Sequence, residues 1–443
     1  MKNRWLIFIL ILSSAIYSCS DKNIDDIYNG NTNLTQNLNV KWDTVANKSS
    51  QALYQHFLPN GASYFGSEIW WNLSSSVDSA TQKQENFTQG TISLWSQSQA
   101  IDVMIAAYKR SKNQKFLDEA NAVVSGIYQA NGCFINSSFR DSEFMINTLL
   151  DLYSIVTDES TKNKYWTAAT SFFKQLETAT IVSNSLDNST YTNGMDGVPV
   201  SSSNVSTLST LSNAPAVIMA AKMYKIAKER NESANNYLQF AQNVYSYCAG
   251  ALFENGGLVY NSITNNNVDN TFYTGNEGAM IGAAVALYSV TKDSTKISSA
   301  CSFANYVSKG TYTGRQVWDT QYPVLLPDIN SNTLVGSVDR SILMYRGVFF
   351  RYLMDLINVT NTDISAANKE LYKTTLTNNA ETLWTYGQMP GKALWGSQWY
   401  EPPYEGEYVS TTSVSDPYIS KEVISLEAQI AGAFLFEMKA LLN

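Results

Sequence analysis

Arg140, Asp141 and Glu143 stand close together in the chain, between a polar segment and a long apolar one. Asp141 is of a type that caps helix N-termini, and apolar residues follow it at helical spacing over 141–157. Carboxylates at a helix start that face a cleft can act as general acids and bases. An ordinary capped helix start with solvated charges is the alternative. The location of this stretch within the whole fold decides between the two.

Apolar residues recur with a period near 3.6 along most of the chain, which predicts about twelve helices. They cover approximately 42–58, 92–111, 114–130, 141–157, 162–178, 212–229, 233–253, 277–292, 295–308, 339–358, 365–386 and 419–442. Every second stretch is apolar nearly all round and rich in small residues, so it is expected to be buried. This alternation predicts an all-α fold, an (α/α)6 barrel of six helical hairpins closed in a ring. An open solenoid of helix pairs is the alternative.

The connections between these helices alternate between short and long. Short ones lead out of the buried helices, and long ones lead into them: 59–91, 131–140, 179–211, 254–276, 309–338 and 387–418. All long loops are therefore expected on one face, at the N-termini of the inner helices, where binding and catalytic residues concentrate. Short strands are possible inside these loops, for example at 257–260.

The same face is predicted to collect the candidate site residues. We assign Asp141 and Glu277 as catalytic candidates, and the following as substrate-binding candidates: Arg140, Trp95, Gln97, Asn213, Asn276, Trp318 and Trp399. Aromatic residues make up 12% of the chain, and aromatic rings can stack on the apolar faces of sugars. Carboxylates among aromatic residues on a concave face indicate a carbohydrate ligand. For each tryptophan, a packing role inside its own loop is the alternative.

The N-terminus has the features of a bacterial lipoprotein signal. Residues 1–18 combine a charged start with a short apolar run, and Cys19 follows a small residue, as in a lipoprotein cleavage box. We expect lipidation of Cys19, a flexible tether over 19–41 and the barrel over 42–443. The expected location is the bacterial outer membrane, at the cell surface or on the periplasmic side, with the lipid on Cys19 as the membrane anchor.

Charge and cysteine content exclude several classes of function. The net charge is −8, and Lys and Arg form no basic stripe, so nucleic acid is not an expected partner. Cys133, Cys248 and Cys301 are widely spaced and no C-x-x-C occurs, so no thiolate metal site is expected. We expect no cofactor and a monomer, while Ca²⁺ held by loop oxygens stays open. His56 is the only histidine and is interpreted as structural.

Several segments resemble glycoside hydrolase family 76, bacterial and fungal enzymes that cleave α-1,6-linked mannan. The resemblance runs from about Trp42 to the C-terminus, and the segments that carry it are 95–100, 212–216, 257–260, 278–284, 346–353 and 379–384. The most specific is Ser-Asn-Ala-Pro-Ala at 212–216, which opens a helix. The resemblance implies an (α/α)6 barrel and α-mannan as substrate, in agreement with the periodicity.

The resemblance also implies where the catalytic residues belong. The family has an adjacent Asp-Asp pair at the start of the fourth helix, the first as nucleophile of a retaining mechanism and the second as acid/base. The ungapped match places Arg140 at the first aspartate, Asp141 at the second and Phe144 at a tryptophan. A guanidinium cannot attack an anomeric carbon, and beside it Asp141 is expected to stay ionised, which makes it a poor proton donor.

Three interpretations follow from this departure. Hydrolysis persists with other carboxylates, such as Glu277 or Glu143; or the cleft binds glycan without cutting it; or the barrel is a scaffold with an idle cleft. On a regular helix Asp141 and Glu143 point about 200° apart, so their side chains are not expected to converge.

Overall fold

The computed structural model describes residues 40–59, 61–72, 85–186, 197–254, 257–310, 312, 316–328, 340–360, 364–389, 392–400 and 421–442. The predicted signal at 1–18, Cys19 and nearly all of the tether at 19–41 lie outside these residues. In the described residues, no helix is both long and apolar enough to span a membrane.

The described part of the chain contains twelve α-helices, the number that the periodicity predicts. They are α1 (Trp42–Phe57), α2 (Leu94–Ser111), α3 (Gln114–Asn131), α4 (Phe139–Tyr153), α5 (Glu159–Leu186), α6 (Thr210–Glu229), α7 (Asn235–Tyr247), α8 (Thr274–Thr291), α9 (Ser294–Ser308), α10 (Tyr345–Ile357), α11 (Ala366–Thr382) and α12 (Leu426–Leu441). A short 3-10 turn, Arg340–Met344, leads into α10, and π-helical turns extend α7 and α11.

The six even-numbered helices form a closed inner ring. Each packs against the next in the order α2, α4, α6, α8, α10 and α12, and α12 returns to α2. Every odd-numbered helix packs on the outside of this ring. Because the ring closes, the fold is an (α/α)6 barrel, which confirms the predicted fold class and excludes the open solenoid.

Small residues bring neighbouring inner helices close together. A Cβ added at Gly278 of α8 would lie 2.5 Å from the Cα of Phe349 on α10, and one at Gly347 would lie 2.7 Å from the Cα of Ala431 on α12. These contacts are too short for any side chain, so glycine is required where the backbones meet. Residues 274–284 of α8 are buried throughout, as expected for an inner helix.

Two small antiparallel sheets connect the long loops. One has the order β2–β1–β6 and the other β3–β4–β5, with strands β1 (Glu68–Asn72), β2 (Glu85–Thr88), β3 (Thr207–Ser209), β4 (Ser262–Thr264), β5 (Asn267–Asp269) and β6 (Lys421–Ser425). The first sheet ties the loop before α2 to the one before α12, with Glu68 opposite Ser425. The second ties the loops before α6 and α8. Residues 257–260 contribute one isolated bridge, Phe253 with Val259, rather than a strand.

Several of the predicted helix boundaries differ from those of the structure. Helix α4 begins at Phe139 with Ser138 as its N-cap, and the Ser138 hydroxyl accepts a hydrogen bond from the Asp141 amide at 3.3 Å. Asp141 therefore stands in the first turn, not at the cap. Helix α12 begins at Leu426 because 421–425 pair as a strand. Helix α5 extends to Leu186, past the predicted end at 178.

Candidate active site

The first turn of α4 places Arg140 and Asp141 side by side on the loop face of the barrel. The Arg140 Nε donates to the Asp141 Oδ1 at 3.0 Å, and the two side chains are 29% and 17% exposed. The carboxylate sits near the positive end of the helix dipole, and the guanidinium supplies a second positive charge. The pair is accessible from the mouth and can offer both donors and acceptors to a polar ligand.

Arg140 is also held by an aromatic stack. Its guanidinium carbon lies 4.5 Å from the centroid of the Trp95 ring. The Trp95 ring is parallel to Phe144 at 5.0 Å and stacks on Tyr345 at 5.7 Å, so α2, α4 and α10 meet there. Trp95 is only 1% exposed. Its assignment to substrate binding stays a prediction. The geometry favours a packing role, in which the Trp95 ring supports the Arg140 guanidinium and fixes its position.

A second carboxyl group of α4, that of Glu143, lies inside the barrel. Glu143 is fully buried, and neither carboxyl oxygen has a hydrogen-bond partner. Burial raises the pKa of this carboxyl well above its ordinary value; the charge of Asp141 raises it further, whereas Arg140 lowers it. A raised pKa shifts the protonation equilibrium of this buried carboxyl towards the neutral acid.

The burial of Glu143 predicts a pH-dependent stability difference. A group whose pKa is raised in the folded state stabilises the fold below its unfolded pKa, and this stability is lost as the pH rises through the folded pKa. We therefore expect the melting temperature of Glu143→Gln, relative to wild type, to increase between pH 5 and pH 8 because glutamine cannot ionise. Glu159→Gln, at a side chain that is 70% exposed, is the control. A pH-independent difference for Glu143→Gln would contradict the prediction.

Glu277, the other catalytic candidate, is also fully buried. Its Oε1 accepts a hydrogen bond from the Val259 amide at 2.9 Å, and its Oε2 has no partner. Burial raises the pKa of Glu277 well above its ordinary value. The side chain ties the segment before α8 to that helix. Its catalytic role stays a prediction, and the geometry favours this structural contact.

The neighbouring Asn276 is buried as well. Its Nδ2 donates to the Asn261 Oδ1 at 3.4 Å, and its Oδ1 has no partner. A buried amide oxygen without a partner is energetically costly. Its assignment to substrate binding stays a prediction.

Two further candidates each form a pair of hydrogen bonds with the backbone of a different long loop. The Gln97 amide accepts from the Phe65 amide at 2.9 Å and donates to the Phe65 carbonyl at 2.8 Å. The Asn213 side chain does the same with Val198, at 2.7 and 3.0 Å. Both residues are buried. Their assignment to substrate binding stays a prediction, while their geometry favours holding loops at the mouth.

The two loop tryptophans act as anchors in the structure. Trp318 is half-buried, and its Nε1 donates to the Val307 carbonyl at 3.0 Å. Trp399 is fully buried, with the Arg346 guanidinium carbon 3.7 Å from the ring centroid. Of the two, only Trp318 keeps an exposed part that a sugar could contact. Their assignments to substrate binding likewise stay predictions.

Glu68 and Arg340 form an ion pair that sequence reasoning missed. The Arg340 Nη2 lies 2.6 Å from the Glu68 Oε2, and the arginine side chain is 28% exposed. The pair links the loop before α2 to the turn before α10. A separation of 272 residues leaves no local signal for the pairing. The described residues contain no group of three or more His, Cys, Asp or Glu side chains arranged to hold a metal ion.

A closed six-hairpin ring, with its long loops and its acidic and aromatic residues at one mouth, defines a glycoside-hydrolase-like (α/α)6 toroid. Residues 67–431 match the model of Glycosyl hydrolase family 76. The chain belongs to glycoside hydrolase family 76. This confirms the resemblance that the sequence motifs indicate.

Several solved structures have the same fold. An inactive variant of an α-1,6-mannanase from a Salegentibacter species, in complex with α-1,6-mannotetraose, is 20% identical, with a TM-score of 0.69; 91% of this chain and 100% of that chain are covered. A Listeria innocua protein is 21% identical, with a TM-score of 0.67 and coverage of 91% and 98%. A family 76 mannosidase of Bacteroides thetaiotaomicron is 14% identical, with a TM-score of 0.62 and coverage of 91% and 99%. No curated protein matches the sequence.

Proposed function

We propose that this protein binds α-1,6-mannan, or a closely related α-linked glycan, at the mouth of the toroid without cleaving it efficiently. The observation that carries the proposal is the ion pair between Arg140 and Asp141 at the start of α4. By family resemblance this is the place of the catalytic aspartate pair. Family membership supports the glycan class, and the Arg140–Asp141 pair supports the loss of cleavage.

The chemistry of the pair favours binding over covalent catalysis. A guanidinium is not a nucleophile, so Arg140 cannot form a glycosyl intermediate. One oxygen of Asp141 accepts from Arg140. An arginine and a carboxylate side by side present the fork of donors and acceptors that recognises vicinal hydroxyl groups.

A structural relative supports binding without cleavage. The Salegentibacter α-1,6-mannanase is described as inactive when two adjacent aspartates are replaced by alanine, yet in complex with α-1,6-mannotetraose. In that protein the glycan is held without either aspartate. We infer that a chain with arginine at one of these positions can retain the same ligand.

Altered hydrolysis is the second candidate, and one observation favours it. Glu143 and Glu277 are buried carboxyl groups with raised pKa values and oxygens without partners. A carboxylic acid kept neutral can donate a proton to a leaving group. Both groups are fully buried, so a substrate would reach them only after a rearrangement of the mouth. For this reason we place binding first.

The lipoprotein role belongs to the same proposal. A lipid on Cys19 and the tether at 19–41 would hold the toroid at the outer membrane, where a non-cleaving protein could capture mannan for a mannan-degrading cell. The signal at 1–18 is the sequence feature that supports this location. Labelling with a fatty-acid analogue should mark the full-length protein and not a Cys19→Ser variant.

One experiment separates the candidate functions. A soluble form that begins after Cys19 is mixed with α-1,6-mannotetraose; calorimetry measures affinity and a reducing-end assay measures cleavage, from pH 4.5 to pH 8. We expect binding with no new reducing ends. Asp141→Asn should weaken binding about tenfold by loss of a charge-assisted hydrogen bond, whereas the control Glu159→Gln should not. New reducing ends from the wild-type protein would overturn the proposal. An absence of binding would also overturn it and would favour the interpretation of the barrel as a scaffold with an idle cleft.

A further inference from the structure

A pocket adjoins the first turn of α4 on its outer side, away from the barrel axis. Its volume is about 510 Å³, and the residues that line it include Asn136, Phe139, Lys174, Gln175, Thr178 and Ser202. They belong to the loop before α4 and the first residue of that helix, the second half of the outer helix α5 and the loop before α6. The volume lies within the range of about 300–1,000 Å³ typical of small-ligand sites.

The loops that form this pocket are tied together. The Phe139 amide donates to the Val200 carbonyl at 3.0 Å, and the Ser202 amide donates to the Ser137 carbonyl at 3.1 Å. The Asn136 Oδ1 accepts from the Ser138 amide at 2.9 Å. These bonds fix the two loop sides of the pocket relative to each other, which lowers the cost of ordering them around a ligand.

The lining is suited to a sugar. Asn136, Gln175, Thr178 and Ser202 offer amide and hydroxyl groups, and the Lys174 ammonium adds a donor for sugar hydroxyls. Phe139, with Ala179 and Val205, gives an apolar side. Amides and hydroxyls around an apolar surface match a pyranose ring, which has hydroxyls at its rim and C–H groups on its faces.

The pocket lies next to the Arg140–Asp141 pair, and the first turn of α4 connects the two. Phe139 directly precedes Arg140, and the Ser142 hydroxyl, next to Asp141, donates to the Asn136 Oδ1 at 3.2 Å. The pocket lies between the inner helix α4 and the outer helix α5. A glycan backbone bound over the starts of the inner helices would therefore reach it only through a side chain.

We propose that this pocket binds one hexose side chain of a glycan whose backbone lies at the mouth. The inference rests on the proposed function and adds that branched mannan is the preferred ligand. A bulky residue at Thr178 would fill the pocket without touching the Arg140–Asp141 pair. Thr167 lies about three turns earlier on nearly the same side of α5 and is exposed, so it provides a matched control.

The test compares linear α-1,6-mannotetraose with the same tetrasaccharide carrying one mannose side chain, by calorimetry. Wild-type protein should bind the branched ligand about tenfold more tightly, as one or two added hydrogen bonds would give. Thr178→Trp should abolish that preference and leave the linear ligand within about twofold, while Thr167→Trp changes neither. No preference in wild type, or equal losses for both ligands in Thr178→Trp, would overturn the proposal. Failure to bind either ligand would instead reject the proposed function, and this inference with it.

Discussion

An Arg140→Asp variant is expected to hydrolyse α-1,6-mannan at least about 10³-fold faster than the wild-type protein. The change supplies a carboxylate at the position that the family resemblance assigns to the nucleophile. It also removes the cation that pairs with Asp141. Two adjacent carboxylates cannot both ionise easily, so one of them should hold a proton that it can donate to the leaving sugar.

The assay should follow both rate and stereochemistry. Reducing ends give the rate, and NMR of the first products should show retention of the anomeric configuration, because a covalent intermediate inverts the centre twice. Arg140→Asn removes the cation without adding a nucleophile, and it should remain inactive. Adding Asp141→Asn to Arg140→Asp should abolish the acquired activity.

The stacking of Arg140 on Trp95 determines the temperature at which this assay should be run. Arg140 lies over the Trp95 ring, and a cation over an indole contributes about 0.5–1 kcal/mol at a partly exposed site. The variant is therefore expected to melt at a slightly lower temperature, and the assay should run well below it. A folded Arg140→Asp protein that binds mannan and stays inactive would show that position 140 is not the nucleophile position.

The ring of helices could be predicted from the sequence because its signal is local. Residues 279–287 are all apolar or small, and such a helix can only be buried. The strands gave no comparable signal. Residues 421–425 continue the apolar pattern of α12, and they form a strand only because β1, some 350 residues earlier, pairs with them. The closure of the ring brings these two distant strands together, so the local sequence does not indicate the pairing.

The positions of the candidate residues along the helices could be predicted from the sequence, but their contacts could not. Sequence reasoning placed Gln97 and Asn213 correctly at the starts of inner helices, but the loop backbones they clamp lie 32 and 15 residues away. The N-cap of α4 is a second case in which the local sequence does not determine a contact. Ser138 and Asp141 are both good N-cap residues, so the choice between them depends on how the preceding loop docks.

The second large effect is expected within the ring of inner helices, at Arg351 of α10. Its guanidinium pairs with Asp102 of α2 and lies 3.3 Å from a carboxylate oxygen of Asp151 on α4. Lys222 of α6 completes the network at 2.9 Å from Asp151. Four of the six inner helices are thus joined by charges, and the Asp102 side chain is only 2% exposed.

Arg351→Met is expected to lower the free energy of unfolding by about 3–5 kcal/mol at neutral pH, since it leaves the buried carboxylate of Asp102 without its charged partner, whereas Asp151 keeps Lys222. Urea unfolding measures this loss. Lys162→Met, which breaks a surface pair with Glu159 on α5, is the control and should leave the midpoint unchanged. A loss no larger than that of the control would show that the network does not stabilise the ring.

The loss should also depend on pH in a defined direction. Burial raises the pKa of Asp102, and the charge of Asp151 raises it further, whereas Arg351 is the main group that lowers it. Without Arg351 the pKa rises more, so the folded variant binds a proton at Asp102 that the unfolded chain releases at lower pH. The deficit of Arg351→Met should therefore shrink from pH 8 to pH 5. Adding Asp102→Asn should recover part of it at pH 8, because the amide needs no counter-charge. A deficit that stays constant with pH would place its cause in lost packing of the long side chain rather than in the unpaired carboxylate.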